Sequence, residues 1–175
     1  MNGQSPLDWP DRLFGVLKRA GVSQVSYVPD AGHSRLISLC RDDPDIHDVA
    51  LTTEEEGVAL AAGAWLGGSR AALLMQSSGL GNCINMLSLA RTCRFPLLMF
   101  ITMRGEWEEF NPWQEPMGAI VDPVLKLCEA EVYRVQKPEE AEPVAERAVQ
   151  LAFGDERIAT VLLAQQLIGK KVWTK

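Results

Sequence analysis

Apolar residues in this chain fall into two alternating patterns, short uninterrupted runs and longer stretches in which they recur at helical spacing. A first helix is expected from Asp8, with Pro10 at an early helical position and a stripe of Leu13, Phe14, Leu17 and Ala20 that stops at Gly21. Val25 to Val28 reads as a strand, Pro29 to Gly32 as a turn, and Ser34 to Arg41 as a second helix. A strand at Val49 to Leu51 leads into a helix from about Thr53 to Leu66, rich in small residues and stopped by Gly67 and Gly68. Ala71 to Met75 is an uncharged run, as a parallel strand covered on both faces requires.

The run from Gln76 to Gly81 is polar and turn-like, with a helix expected from Asn82 to Thr92 and a strand from Leu97 to Thr102. Met103 to Met117 reads as a long loop carrying Trp107, Phe110 and Trp113, either a lid or a surface for a partner. A helix from Gly118 to Cys128, a strand at Val132 to Val135, a helix from Pro138 to Phe153 and a strand at Thr160 to Leu163 complete the pattern. Six strands alternating with six helices imply one α/β domain over residues 1–175, with a six-stranded, mostly parallel sheet and helices on both faces. The tail from residue 165 to 175, with Trp173, is expected to be loose or to form an interface.

Composition narrows the function. With 17 basic against 23 acidic residues the net charge is -6, so no basic field exists for nucleic acid. No apolar run reaches the roughly 18 residues that span a membrane, and the start, MNGQSPLDWPDR, lacks a leader pattern. A soluble, cytoplasmic protein is expected. Cys40, Cys83, Cys93 and Cys128 form no C-x-x-C pair and read as buried free thiols, and two histidines without H-E-x-x-H give no zinc pattern.

Candidate chemistry gathers between Thr52 and Asn85. Glu54, Glu55 and Glu56 open a helix, where the helix dipole stabilises negative charge by about 0.3 to 1 kcal/mol each, so stability alone explains them. Gly79-Leu80-Gly81-Asn82 is an ordinary strand-to-helix turn when taken alone, neither a dinucleotide fingerprint nor a Walker loop. Together, TEEEGVALAAGAW and ALLMQSSGLGNCINML resemble the pyrimidine-binding domain of thiamine diphosphate-dependent decarboxylases. In that superfamily a glutamate precedes by nine residues the glycine of a triplet matched here by Gly63-Ala64-Trp65, which gives Glu54, and an S-G-x-G turn follows the next strand. VPDAG, at Val28 to Gly32, lies where the superfamily has its V-P-G-like turn. TMRGEWEEFNPWQEPMG resembles more narrowly the loop of the sulfopyruvate and phosphonopyruvate decarboxylases.

The resemblance implies that Glu54 hydrogen-bonds the pyrimidine ring nitrogen of thiamine diphosphate and favours its imino tautomer. It implies cofactor contacts at Pro29, Asp30, Gly79, Gly81 and Asn82. Gln76 is a candidate for contact with substrate or for a strand-end hydrogen bond, and Asn82 and Asn85 for turn orientation, substrate contact or helix capping. His33 is either a proton donor after carbon dioxide leaves or a surface histidine. Arg104 offers paired donors to a sulfonate, phosphonate or carboxylate, or pairs with Glu106, Glu108 or Glu109. Arg91 and Arg94 are expected to be structural.

The superfamily's diphosphate and magnesium site requires a G-D-G motif, whereas the Gly-Asp of this chain is Gly154-Asp155, followed by Glu156. The expected assembly is therefore a hetero-oligomer in which a beta subunit supplies the diphosphate and magnesium site, and the expected substrate is a small anionic 2-oxo acid. The alternatives are a carboligase of the acetolactate synthase type, a non-catalytic regulatory subunit, and a flavodoxin-like binding module.

Overall fold

Strand-forming residues occupy Val22–Tyr27 (β1), His47–Ala50 (β2), Arg70–Gln76 (β3), Leu97–Thr102 (β4), Glu131–Val135 (β5) and Ile158–Leu163 (β6) in the computed structural model, which describes residues 8–169. All pair in parallel, in the order β2-β1-β3-β4-β6-β5. The expected fold class is borne out, with no antiparallel pair in this sheet. Trp173 and residues 1–7 of the N-terminal stretch lie outside the described residues.

The helices are Trp9–Arg19 (α1), Ser34–Arg41 (α2), Glu54–Leu66 (α3), Leu80–Cys93 (α4), Gln114–Leu127 (α5), Ala141–Asp155 (α6) and the short Gln165–Ile168 (α7). Alternation along each central strand divides the core. Ala72, Leu74, Leu98 and Phe100 face α1, α2 and α6, whereas Leu73, Met75, Leu97, Met99 and Ile101 face α3, α4 and α5. Alanines 141, 145, 148 and 152 give α6 a shallow inner face that lies close on the sheet. Gly57 does the same for α3, since a Cβ there would overlap the Leu73 side chain.

Three helix starts differ from the sequence expectation, α6 beginning at Ala141 after a 3-10 turn over Pro138–Glu140. A single 3-10 turn, Ser77–Gly79, feeds α4 at Leu80, so Asn82 and Asn85 lie inside the helix instead of capping it. α5 begins at Gln114, four residues early, because Pro116 falls in the first turn, where its missing N–H costs nothing. Cys40 and Cys83 are buried, but Cys93 is exposed and Cys128 partly so, because both close helices at the rim of the sheet.

Candidate active site

The strand order reverses direction beside β1 and β3 and again beside β4 and β6, and a parallel sheet binds ligands at the carboxyl ends of strands at such points. Asp30, just past β1, bridges the first reversal. Its Oδ1 accepts from Gln76 Nε2 at 3.0 Å, and its Oδ2 accepts from Thr102 Oγ1 at 2.7 Å and from Gly32 N at 3.1 Å. Gln76 and Thr102 are register partners on β3 and β4, so one carboxylate ties three strand ends together. Gln76 Oε1 in turn accepts from Ser78 Oγ at 3.1 Å and Gln114 Nε2 at 2.8 Å. Of the two readings of Gln76, the structure displays the strand-end hydrogen bond. Pro29 stands exposed beside this bridge.

The three glutamates of α3 separate. Glu56 turns back, its Oε2 accepting from the backbone N of Thr52 at 2.9 Å and of Thr53 at 3.5 Å, which closes the helix start. Glu55 is exposed. Glu54 points inward and is only 8% exposed. Its Oε2 accepts from Asn82 Nδ2 at 2.8 Å, and Oε1 has no donor among the described residues. Gly79 lies so close that a Cβ there would overlap the Glu54 carboxyl group. Gly81 and Asn85 are exposed on the first turns of α4, with Met117 the nearest neighbour to Gly81. A carboxyl group with one oxygen anchored and one open, beside a bare glycine, suits a ring nitrogen of a bound heterocycle.

His33 is not a surface residue. It is 1% exposed, with Trp9 packed edge-on at 6.4 Å between ring centroids, and its Nε2 lies 3.3 Å from Met75 O and 3.2 Å from Phe100 O. Burial lowers its pKa from the usual 6.5, and Nδ1 has no partner, so a neutral ring donating from Nε2 fits the site. The imidazole therefore clamps β3 to β4 from beneath the strand ends.

A cleft of about 140 Å³ opens along the ends of β1, β4 and β6, lined among others by Gly32, Thr102, Arg104, Phe110 and Gln165, with Glu54 not among them. Arg104 lies over the Phe110 ring, 5.1 Å from its centroid, and donates from Nε at 2.7 Å and Nη2 at 2.5 Å to the two oxygens of Glu109. Its Nη1 edge has no acceptor among the described residues. The guanidinium holds Glu109 well below the usual carboxylate value, at about 2. Gly105, at φ +76°, and Gly118 let the loop after β4 cross the first turn of α5, since a Cβ on either would strike backbone atoms. That crossing gives the R-G pair and the later P-M-G a physical reason. Trp113, 63% exposed, opens α5. Arg91 pairs with Glu129, and Arg94 ends α4 in the left-handed conformation.

Thr102, Gln165 and Gln114 escaped the sequence reading. Thr102 ends β4 and Gln165 follows β6, both fully buried strands, and a polar residue at the carboxyl end of a buried parallel strand is the signal that marks them. Gln114 sits in an aromatic loop without periodicity and carries no such signal. Gly154-Asp155 closes α6, at the opposite, amino end of the strands. Among the described residues no helix is long and apolar enough to cross a membrane, and no group of three or more His, Cys, Asp or Glu could hold a metal.

Comparison with known proteins gives the chain a family. Residues 9–118 match the family described as thiamine pyrophosphate enzyme, N-terminal TPP binding domain. Sulfopyruvate decarboxylase subunit alpha of Methanocaldococcus jannaschii is 38% identical over 130 residues, 74% of this chain and 77% of that one. Its counterpart in Methanococcus maripaludis is 35% identical over 154 residues, 87% of this chain and 92% of that one. Phosphonopyruvate decarboxylase of Streptomyces viridochromogenes is 40% identical over 121 residues, which cover 68% of this chain but 30% of that protein. A 2-oxoglutarate:ferredoxin oxidoreductase from Magnetococcus marinus has the same fold at 15% identity and a TM-score of 0.74, covering 96% of this chain and 31% of that one. The buried Glu54, the glycine against it and these likenesses converge: the chain belongs to the thiamine pyrophosphate enzymes, as a decarboxylase subunit built on their N-terminal TPP-binding domain.

Proposed function

We propose that this chain is the alpha subunit of a decarboxylase for a small 2-oxo acid with a second anionic group, sulfopyruvate or phosphonopyruvate, and that a beta subunit completes the active site. The half-satisfied carboxyl group of Glu54 carries the reading. When bound, thiamine diphosphate supplies the carbon nucleophile and the electron sink that lets carbon dioxide leave. Glu54 would present Oε1 to the pyrimidine ring nitrogen, while Asn82 fixes the orientation of the carboxyl group through Oε2. Gly79 and Gly81 keep the wall beside it free of side chains, and Pro29 and Asp30 border the site at the end of β1. Through Asp30, Gln76 and Thr102 hold the strand ends in register. Arg104 offers its Nη1 edge to the sulfonate or phosphonate, with Asn85 a further candidate for substrate contact. The partner holds the diphosphate and its magnesium.

Affinity isolation of the chain with thiamine diphosphate and magnesium present, followed by mass spectrometry and product analysis, tests this. A co-isolated chain carrying G-D-G, with carbon dioxide and aldehyde formed in equal amounts, is the expected result. A hydroxyketone as main product would assign carboligation instead. Glu54→Gln in that complex should lower turnover by about 100-fold or more, and near-normal turnover would remove Glu54 from the reaction.

A further inference from the structure

Arg104 is held in place by a residue far away in sequence. We propose that Gln165, acting through Glu109, is the positioning residue that aims the Arg104 guanidinium at the anionic end of the substrate. The inference rests on the assignment of Arg104 to that end.

Gln165 stands directly past β6, 8% exposed, at the rim of the cleft. Its Oε1 accepts from the backbone N of Glu106 at 2.9 Å and of Trp107 at 3.0 Å, and its Nε2 donates to Glu109 Oε2 at 2.9 Å. Its backbone N donates to Glu106 Oε2 at 3.3 Å, and Glu106 is tied to β5 by Arg134 at 2.7 Å. Glu109, with a side chain 3% exposed, gathers the rest: both Arg104 donors, Gly105 N at 3.0 Å and Asn111 N at 3.0 Å. Glu109 therefore cannot swing away, and the Nε and Nη2 edge of Arg104 is fixed. A free arginine side chain would lose its rotamer freedom on binding each substrate; here much of that loss is met on folding.

The chemistry at position 165 is demanding. One short side chain must accept from two backbone N–H groups and donate to a carboxylate, which an amide does and neither an acid nor a base can do. The network also fixes which end of the amide is oxygen. Its geometry makes Gln165 part of substrate selection, because a small displacement of an orienting group costs about 10- to 100-fold in recognition.

The test compares Gln165→Glu and Arg104→Ala in the full chain within its native complex. Gln165→Glu keeps the acceptor for the two N–H groups but sets an oxygen against Glu109. Phosphonoacetate binding by calorimetry and KM for phosphonopyruvate and for pyruvate are measured beside thermal melting. Gln165→Glu is expected to weaken phosphonoacetate about 10-fold and to raise KM for phosphonopyruvate similarly. KM for pyruvate should change less than about twofold. An equal loss toward both acids, or no loss with Arg104→Ala impaired, overturns the role of Gln165. No selective loss in Arg104→Ala overturns the anion assignment beneath it.

Discussion

Three consecutive glutamates begin α3, and only their surroundings tell them apart: one closes the helix, one meets solvent, and Glu54 turns toward Gly79 and Asn82. Gly79→Ala places a methyl group where the Glu54 carboxyl lies. It should destabilise the fold by about 1–3 kcal/mol and lower turnover at least tenfold, read by thermal melting and steady-state rates; an unimpaired variant would mean that Glu54 moves aside freely. The family resemblance, through its spacing to Gly63, singled out Glu54 in the sequence, since charge alone favoured none of the three. Asp30 and Gln76 were legible as strand-end polar residues, but their joining was not, because it depends on the register of β3 with β4. His33 misled for a similar reason: its burial comes from Trp9 on α1 and from two strand carbonyls, none of them near it in sequence.

At the scale of elements, the sequence revealed the alternation of strands and helices, because buried parallel strands leave apolar runs that no surface strand tolerates. It blurred the helix starts. Trp113, Gln114, Glu115 and Pro116 have no apolar spacing, and the first turn of α5 is fixed by its crossing with Gly105 instead. Helix ends hold a testable liability. Arg94 and Glu156 finish α4 and α6 in the left-handed conformation, at φ 56° and 52°, where a side chain costs about 1 kcal/mol and glycine does not. Arg94→Gly and Glu156→Gly should each raise stability by roughly 0.5–1 kcal/mol, a melting shift of about 1–4 °C. A fall in either melting temperature would show that these side chains make up for their backbone cost.

Across the whole molecule, two groups should set the response to acid. The folded-state pKa of His33 lies below its usual 6.5, so the unfolded chain binds protons first as pH falls below that value, and stability declines there. Glu109, lowered from 4.5 to about 2, stabilises the fold above pH 4.5 and loses that contribution as pH falls toward 2. Denaturant titrations against pH should therefore show two stages. The first should shrink in His33→Gln and the second in Glu109→Gln, where Asp43 and Glu140, also lowered, keep a part of it; a profile unchanged in either variant would refute its assignment.

The order β4-β6-β5 also governs how the chain is made. β4 leaves the ribosome about 60 residues before its outer neighbour, and β5 emerges with no strand beside it until β6 arrives between the two. Until then the nascent chain presents LLMFIT, an edge without a single charge, to whatever lies nearby. Strand β6 is thus the keystone of assembly, and the interval before it appears is when this protein most needs protection from sticking to its own kind.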